Sequence, residues 1–334
     1  MKLSKILAYI FAAIALIFEG FFGIISFVSF ILQVILVVSG IFLLTYIFRR
    51  SKVGNYQQVI LRYILTMLGI IGFFISIMFA FIQYQHIMPG IVSDITLTHS
   101  GQHIVFVEMS HIASPEFFAH KKETIQLLAR QGYTILYEGV KPGTPDNQAI
   151  FDRAMGFDFT PTLYSTIANL VGLHSQDNGS LFAEIATGSL ISVDLSIDDI
   201  VRLMDTGSQV IFSSGSVSGS FSDAETEIGS AFVTLSPRER IWMSWVGRGL
   251  LSWSLRRSDD LSDLLTTGSQ AQLFNTIINR RNDAIIRYIQ DHPTERIAIV
   301  YGALHFNGVY EALQRLSPAW QVAHIENSEP YTIR

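Results

Sequence analysis

The chain has 334 residues, 49% of them apolar and none of them cysteine, with a formal net charge of −5 at pH 7. Residues 1–89 hold one carboxylate, Glu19, against six Lys/Arg, so the remainder carries 17 basic and 27 acidic residues, a formal charge of −10. That balance excludes a nucleic-acid-binding domain, which needs a basic surface to displace counterions from phosphate, and the lack of cysteine excludes a disulfide-stapled scaffold.

From Ile6 to Phe48 run 43 residues whose only formal charge is Glu19, and a second, charge-free run goes from Tyr63 to Tyr84. A membrane span takes about 20 apolar residues. The first run therefore fits two helices, about 6–27 and 28–48, and the second fits one, about 63–84. A break at Glu19-Gly20 leaves a short first helix, whereas a turn nearer Ser26–Ser29 gives more even halves, and one or two helices before the connector make two or three spans in all. No small-residue cleavage pattern precedes a polar mature start, so a cleaved signal peptide is not expected. The connector RRSKVGNYQQVILR, Arg49–Arg62, has four basic residues and no acidic one, which places it in the cytoplasm by the positive-inside rule. Lys2 and Lys5 put the amino terminus on the same side and favour three spans. Residues 1–88 then read as a transmembrane region in a plasma membrane of the bacterial inner-membrane type, with lipid as the first partner. Residues 89–334 follow as an extracytoplasmic domain, large enough to bury its own core.

Two segments of that domain look like copies of one unit. In HIVFVEMSHIASPEFFAHKKETIQLLARQGYTILYEGV the spacing predicts a strand over 104–108, a crossing point at Ser110-His111 and a helix over 115–130. Ser114 is its N-cap and Pro115 its first residue, Gly132 is the stop, and a second strand covers 133–138. In RIAIVYGALHFNGVYEALQRLSPAWQVAHIEN it predicts a strand over 297–301, a crossing point at His305, a helix over 308–316 and a strand over 321–325. Each is a βαβ half. A histidine follows the first strand of each half and a glutamate follows the second, Glu138 after His111 and Glu326 after His305. Two right-handed units in one sheet put both histidines along one rim, where open α/β sheets bind ligands.

Between the halves, PDNQAIFDRAMGFD, TPTLYSTIANLVGL and SIDDIVRLMDTG, with Ser196 as N-cap, have helical spacing. Asp198 and Asp199 decorate a helix N-terminus, where the macrodipole favours acids. Residues 213–230, SSGSVSGSFSDAETEIGS, read as a mobile loop or lid. The helical stretch RERIWMSWVGRGLLSWSLRR then brings Trp242, Trp245 and Trp253 together with Arg238, Arg240, Arg248, Arg256 and Arg257. An aromatic face packed on the core is the expected reading; a membrane-interface helix is the competing one.

A lone Gly-x-x-His such as Gly302–His305 is expected roughly 0.65 times by chance in a chain with 24 Gly and 9 His. Weight comes from context: His111 stands in the equivalent place, and Glu138 ends the strand paired with it. Two neutral imidazoles and a carboxylate suit a borderline divalent metal such as zinc, manganese or cobalt. They suit general acid/base work equally, since histidine titrates near neutral pH. Asp194, in SVDLSIDDI, and His174 and Gln176, in GLHSQDNG, are further candidates, and NRRNDAIIRYI presents Arg281. The sequence has no Gly-x-Ser-x-Gly elbow, Walker A loop, dinucleotide-binding fingerprint or His-Glu-x-x-His helix.

This set of motifs resembles the TraB/GumN/Tiki family, within the wider group of ChaN-like and erythromycin-esterase-like folds, over about residues 92–330. The resemblance is carried by EMSH (Glu108–His111), LYEGV with Glu138, RRNDAII with Arg281 and Asn282, YGALHFNGVYEAL with Gly302 and His305, and VDLS around Asp194. It implies an α/β mixed sheet of two halves with a helical insert, and a metal-dependent, peptidase-like hydrolase acting outside the membrane on a peptide or protein. His111, His305 and Glu138 would be catalytic residues or ligands of Mn, Co or Zn, and Arg281 would orient or stabilise an anion. Glu108 stands where the family pattern has glycine and is either an additional ligand or the mark of a degenerate site. Binding without chemistry, of a haem-like or peptide signal ligand in the same crevice, is the alternative.

Overall fold

The computed structural model of the chain divides into two compact units, residues 1–76 and 77–334. It describes residues 77–155, 163–207, 236–258 and 271–331, all in the second unit. The expected spans 6–27 and 28–48, the third span as far as Ser76, and the loop 213–230 lie outside the described residues. Among the described residues no helix is long and apolar enough to cross a membrane. Residues 77–84 of the third run are helical, within α1 (77–87).

Six strands make one mixed sheet: β1 (Val92–His99), β2 (Gln102–Met109), β4 (Thr134–Tyr137), β6 (Leu190–Ile191), β7 (Ile297–Gly302) and β8 (Gln321–Ser328). Their order is β6-β4-β7-β2-β1-β8. The run β6-β4-β7-β2 is parallel, whereas β1 is antiparallel to both β2 and β8. β7 is the middle of the parallel block and its first five residues are buried: Ile297, Ile299 and Tyr301 face one side, Ala298 and Val300 the other. A parallel strand covered on both faces must be apolar at every position, which is why IAIVY shows no alternation.

Helix α2 (Pro115–Arg130) begins as the sequence predicts, with Ser114 Oγ accepting the Phe117 N–H at 3.2 Å and Pro115 in the first turn. Gly132, at φ +83°, turns the chain toward β4. The connection β2-α2-β4 crosses one side of β7 with Phe117, Ile125 and Leu128 in the core of that face. The connection β7-α9-β8, through α9 (Phe306–Leu316), runs in the opposite direction and buries Val309 and Leu313 on the other face, beside α8 (Ala271–Asp291). Crossovers in opposite directions on opposite faces have the same hand. Adjacent strands β2 and β7 therefore send their chains to opposite faces, which opens a crevice between their carboxyl ends.

β1 is a strand that the sequence reading passed over. Its signal is present: SDITLTH alternates, and Ser100-Gly101, at φ +48° and +86°, forms a two-residue hairpin turn joining His99 to Gln102. The second half of the duplication consequently ends on an edge strand, with β8 exposed along nearly its whole length. The insert holds α3 (Pro145–Met155), α4 (Leu163–Leu170), α5 (Asn178–Phe182) and α6 (Ile197–Gly207), with the short pair β3 (Ile112–Ala113) and β5 (His174–Ser175).

The tryptophan helix α7 (Pro237–Arg256) departs from the core-packing expectation. Leu255 reaches the sheet's core, but the aromatic residues pack on α1. Trp245 stacks on Phe79 at 5.0 Å and on His86 at 5.2 Å, Trp253 meets Phe81 edge-on at 6.3 Å, and Trp242 stays 57% exposed.

One ion pair is sealed in the α2 face. Lys121, fully buried, places Nζ 2.6 Å from Asp94 Oδ1 on β1. Burial pushes the Asp94 pKa up and Lys121 opposes it. Breaking such a pair costs about 3–5 kcal/mol, whereas replacing both members by apolar groups is often near neutral. Lys121→Met is expected to lower stability by about 3–5 kcal/mol in chemical denaturation, with Asp94→Leu added to it restoring most of the loss. A Lys121→Met effect no larger than that of a surface substitution would contradict the assignment.

Candidate functional site

Each parallel strand ends at the same edge of the sheet, and each delivers one polar side chain there. Past β2, Ser110 Oγ donates to the Ile112 carbonyl at 2.7 Å and sits 3.1 Å from Tyr331 Oη, fixing the turn that carries His111. Gln176 N–H donates to the His111 carbonyl at 2.8 Å, tying this turn to the insert. The His111 side chain is 36% exposed, its ring 5.0 Å from that of Tyr164.

Glu138 follows β4 and extends its ladder by one rung, donating its N–H to the Val300 carbonyl at 3.0 Å. Oε2 accepts the Gly302 N–H at 2.7 Å, and Oε1 accepts Arg281 Nη2 at 2.6 Å. A Cβ on residue 302 would lie 3.3 Å from Oε2, so glycine there lets the carboxylate reach the backbone.

Past β7, a 3-10 turn, Ala303–His305, aims His305 back into the crevice, where it is 4% exposed. Its Nδ1 lies 2.7 Å from Asn282 Oδ1. An amide oxygen only accepts, so Nδ1 carries the proton and Nε2 keeps its lone pair. That Nε2 is 3.9 Å from Glu138 Oε1, the same oxygen that lies 3.9 Å from His111 Nε2. Gly308 makes the arrangement possible: a Cβ there would meet Asn282 Nδ2 at 2.3 Å.

Arg281, on α8, links the acids. Its Nε and Nη2 donate to Asp194 Oδ1 and Oδ2, both at 2.7 Å, while Nη2 also serves Glu138. Asp194 additionally accepts the N–H groups of Gly139, at 3.0 Å, and Leu195, at 2.9 Å. Burial alone would raise the Glu138 pKa, but Arg281, the two imidazoles and the Gly302 N–H together hold it well below the usual carboxylate range. Burial would likewise lower Arg281, and Glu138 and Asp194 drive it upward instead. In His305 burial outweighs the upward pull of Glu138 and lowers the pKa to about 4. At neutral pH Glu138 is ionised, Arg281 is charged and His305 is uncharged.

A cleft of about 300 Å³ opens on His111 and Glu138 of this cluster, lined also by Tyr164, Gln176 and the Asp177–Gly179 turn, with His305, Arg281 and Asp194 behind Glu138, outside the lining. That is at the small end of ligand pockets. Gln176 donates from Nε2 to Asn178 Oδ1 at 2.7 Å, and its buried Oε1 has no hydrogen-bond partner among the described residues. Asn178 Nδ2 in turn donates to the Glu138 carbonyl at 3.2 Å.

The structure thus brings together His111, Glu138, His305, Arg281 and Asp194, with Gln176 on the cleft wall. Glu108 does not line the cleft; its Oε2 accepts the Ser93 N–H at 2.7 Å, a use inside the sheet. Glu326, the counterpart of Glu138 in the second half, is exposed on β8, three strands from β7. His174 is exposed on β5. Asp198 accepts the Thr144 N–H, and Asp199 accepts the Ser196 N–H at the start of α6, as helix-end acids. Asn282, Gly308, Tyr164 and Asn178 escaped the reading of the sequence as functional groups. Only Asn282 carried a signal, its place beside Arg281 on one helix.

The donor set fits a borderline divalent cation in kind: two imidazole Nε2 atoms and a carboxylate, with His305 oriented through its other nitrogen. As the side chains stand, no group of three or more ligating residues among the described residues is close enough to hold an ion. Ligands about 2.0–2.2 Å from one ion lie roughly 3–3.5 Å from each other, closer than the 3.9 Å that separates Glu138 Oε1 from each Nε2. Arg281 competes for the same carboxylate oxygen. Comparison of the chain with protein-family models, with curated proteins and with solved structures finds no match.

The depressed His305 pKa makes folding pH-dependent. The unfolded imidazole takes up a proton near pH 6.5 and the folded one near pH 4, so the unfolded state binds more protons between them. The stability that depends on a neutral His305 is fully present above about pH 6.5 and drains away as pH falls toward 4, by up to about 3 kcal/mol. Thermal denaturation of wild type and His305→Gln across this window is expected to show a shallower acid loss in the variant; parallel curves would contradict it.

Proposed function

We propose that the chain is a membrane-anchored hydrolase of peptidase-like substrate class, with its site on the extracytoplasmic side. The observation that carries this reading is the convergence of two imidazole Nε2 atoms on one oxygen of a buried, ionised carboxylate. Hydrolysis of an amide needs a group that takes a proton from water as its oxygen bonds the carbonyl carbon, and a group that gives a proton to the nitrogen as the C–N bond breaks. His305 suits the first role: it is neutral, its Nε2 keeps a lone pair 3.9 Å from Glu138 Oε1, just behind the cleft wall, and Glu138 stands near enough to stabilise the imidazolium that forms. His111, a third exposed at the mouth, suits the second. Arg281 keeps Glu138 charged and in place.

With manganese, cobalt or zinc held by His111, His305 and Glu138, the metal would replace that acid/base pair: it would lower the pKa of a bound water and polarise the carbonyl, with the imidazole Nε2 atoms serving as ligands. The peptide class and the metal both rest on the motif resemblance to the TraB/GumN/Tiki family, whose ChaN-like or erythromycin-esterase-like sheet agrees with the mixed six-stranded sheet seen. The membrane anchor rests on the apolar runs 6–48 and 63–84 and on the basic connector between them.

Turnover of a peptide library by the full chain in detergent, with and without a chelator, tests the reading. His305→Ala is expected to lose about 10²–10⁴-fold in kcat/KM, and chelation is expected to abolish turnover, with Mn, Co or Zn restoring it. Activity that survives chelation contradicts the metal part alone. Activity unchanged in His305→Ala, or a peptide bound without cleavage, contradicts the hydrolase.

A further inference from the structure

Sixteen large apolar side chains stand exposed among the described residues, and ten of them lie in just two places, residues 77–91 and 241–243. Such clustering marks a surface that something covers. The two places are one surface. α1 and α7 run side by side in the same direction: Phe79 lies against Trp242 and Trp245, Ile82 fits over Gly249, and Arg256 reaches the Met88 carbonyl at 3.0 Å and covers the Tyr84 ring at 5.2 Å. Ile82, Gln85 and His86 are buried toward α7, and Ile77, Phe81, Tyr84 and Met88 follow one another at helical spacing on the outside.

We propose that α1 and α7 form a platform lying in the plane of an anionic bilayer surface, apolar side chains in the acyl boundary and arginines at the phosphates. This rests on the membrane-anchored reading above, with the third crossing taken from the chain before Ile77 and residues 77–84 assigned to the platform, and it adds a second point of lipid contact, made by the domain itself. Three features select lipid as the occupant. The charge-free run from Tyr63 leads directly into α1. Tryptophan, tyrosine and arginine are the residues that settle at the boundary between acyl chains and headgroups. Exposed arginines occur at both ends of α7, Arg238 and Arg240 in its first turn and Arg256 and Arg257 at its last. Eighteen residues of helix span about 27 Å. Upright, α7 would hold its two arginine pairs that far apart in depth, one of them inside the hydrocarbon or well clear of the headgroups. Lying flat, it brings both pairs to phosphate level.

The chain has no cysteine, so a single introduced thiol carries a nitroxide at one known place. Full-length Ile241→Cys and Ile87→Cys, with Glu311→Cys on exposed α9 as the control, are labelled in vesicles of phosphatidylcholine and phosphatidylglycerol. Power-saturation spectra then compare collision with oxygen, which partitions into lipid, and with a water-soluble nickel chelate. Oxygen is expected to dominate at 241 and 87, and the chelate at 311. Labels at 241 and 87 that match 311 overturn the proposal, as does spin–spin broadening at 241 that dilution with unlabelled protein relieves, because a second copy then covers the surface. Alkaline carbonate extraction separates the underlying reading: protein stripped from the vesicles contradicts the anchor, while the label contrast still decides the platform.

Discussion

A guanidinium buried between two carboxylates governs the site. Arg281, 7% exposed, cannot be deprotonated and cannot be left unpaired, since an uncompensated buried charge costs several kcal/mol. Asp194 satisfies one edge of it with two parallel hydrogen bonds, the geometry that gives an arginine fork a fixed direction. Glu138 then occupies the remaining reach of Nη2, and the Gly302 N–H sets its other oxygen. Once that carboxylate is fixed, the imidazoles on either side have a common point to face. Orientation passes along a chain from Asp194 through Arg281 and Glu138 to the two histidines, with Asn282 holding His305 from behind.

The sheet explains how two histidines 194 positions apart, His111 and His305, come to one edge. β2 and β7 are neighbours, parallel and in register from Ile104 opposite Ile297 to Met109 opposite Gly302, so whatever follows each strand emerges at one edge. Because their connections leave on opposite faces, nothing fills the gap between the two ends. Glycine serves two points where backbone and side chain approach closely: a Cβ at Gly302 would crowd Glu138, and one at Gly308 would collide with Asn282 as it stands. The His-bearing turn after β2 needs no glycine at 108: Glu108 pairs opposite Tyr301 within the sheet and spends its carboxylate on Ser93.

Much of this was legible from sequence because local rules and tertiary placement agree there. β7 announced itself as an unbroken apolar run, α2 through Ser114 and Pro115, and the two halves through their shared order of strand, histidine and helix. The candidates His111, Glu138 and His305 follow from strand ends, Arg281 and Asp194 from the motifs NRRNDAIIRYI and SVDLSIDDI, and all five fall into one cluster. What stayed hidden depends on partners distant in sequence. Nothing near Asn282 shows that it faces a histidine 23 residues away. Nothing near Lys121 shows that an aspartate on β1 will neutralise it. Glu326 illustrates the reverse error: repetition in sequence suggested a second acid, but β8 joins the antiparallel edge beyond β1, out of reach of the rim. The aromatic stripe of α7 was legible as a packing face, though periodicity alone cannot say that its partner is α1 rather than the sheet.

The central claim is that a single carboxylate organises both histidines and that burial keeps one of them neutral. Nitrogen-15 spectra of the ring nitrogens in histidine-labelled full-length chain report tautomer and charge directly. The account predicts His305 as the neutral Nδ1–H tautomer at pH 6, still uncharged at pH 5, with the resonances of both His305 and His111 displaced by Glu138→Gln. A His305 that titrates near 6.5 and is indifferent to Glu138→Gln would contradict it.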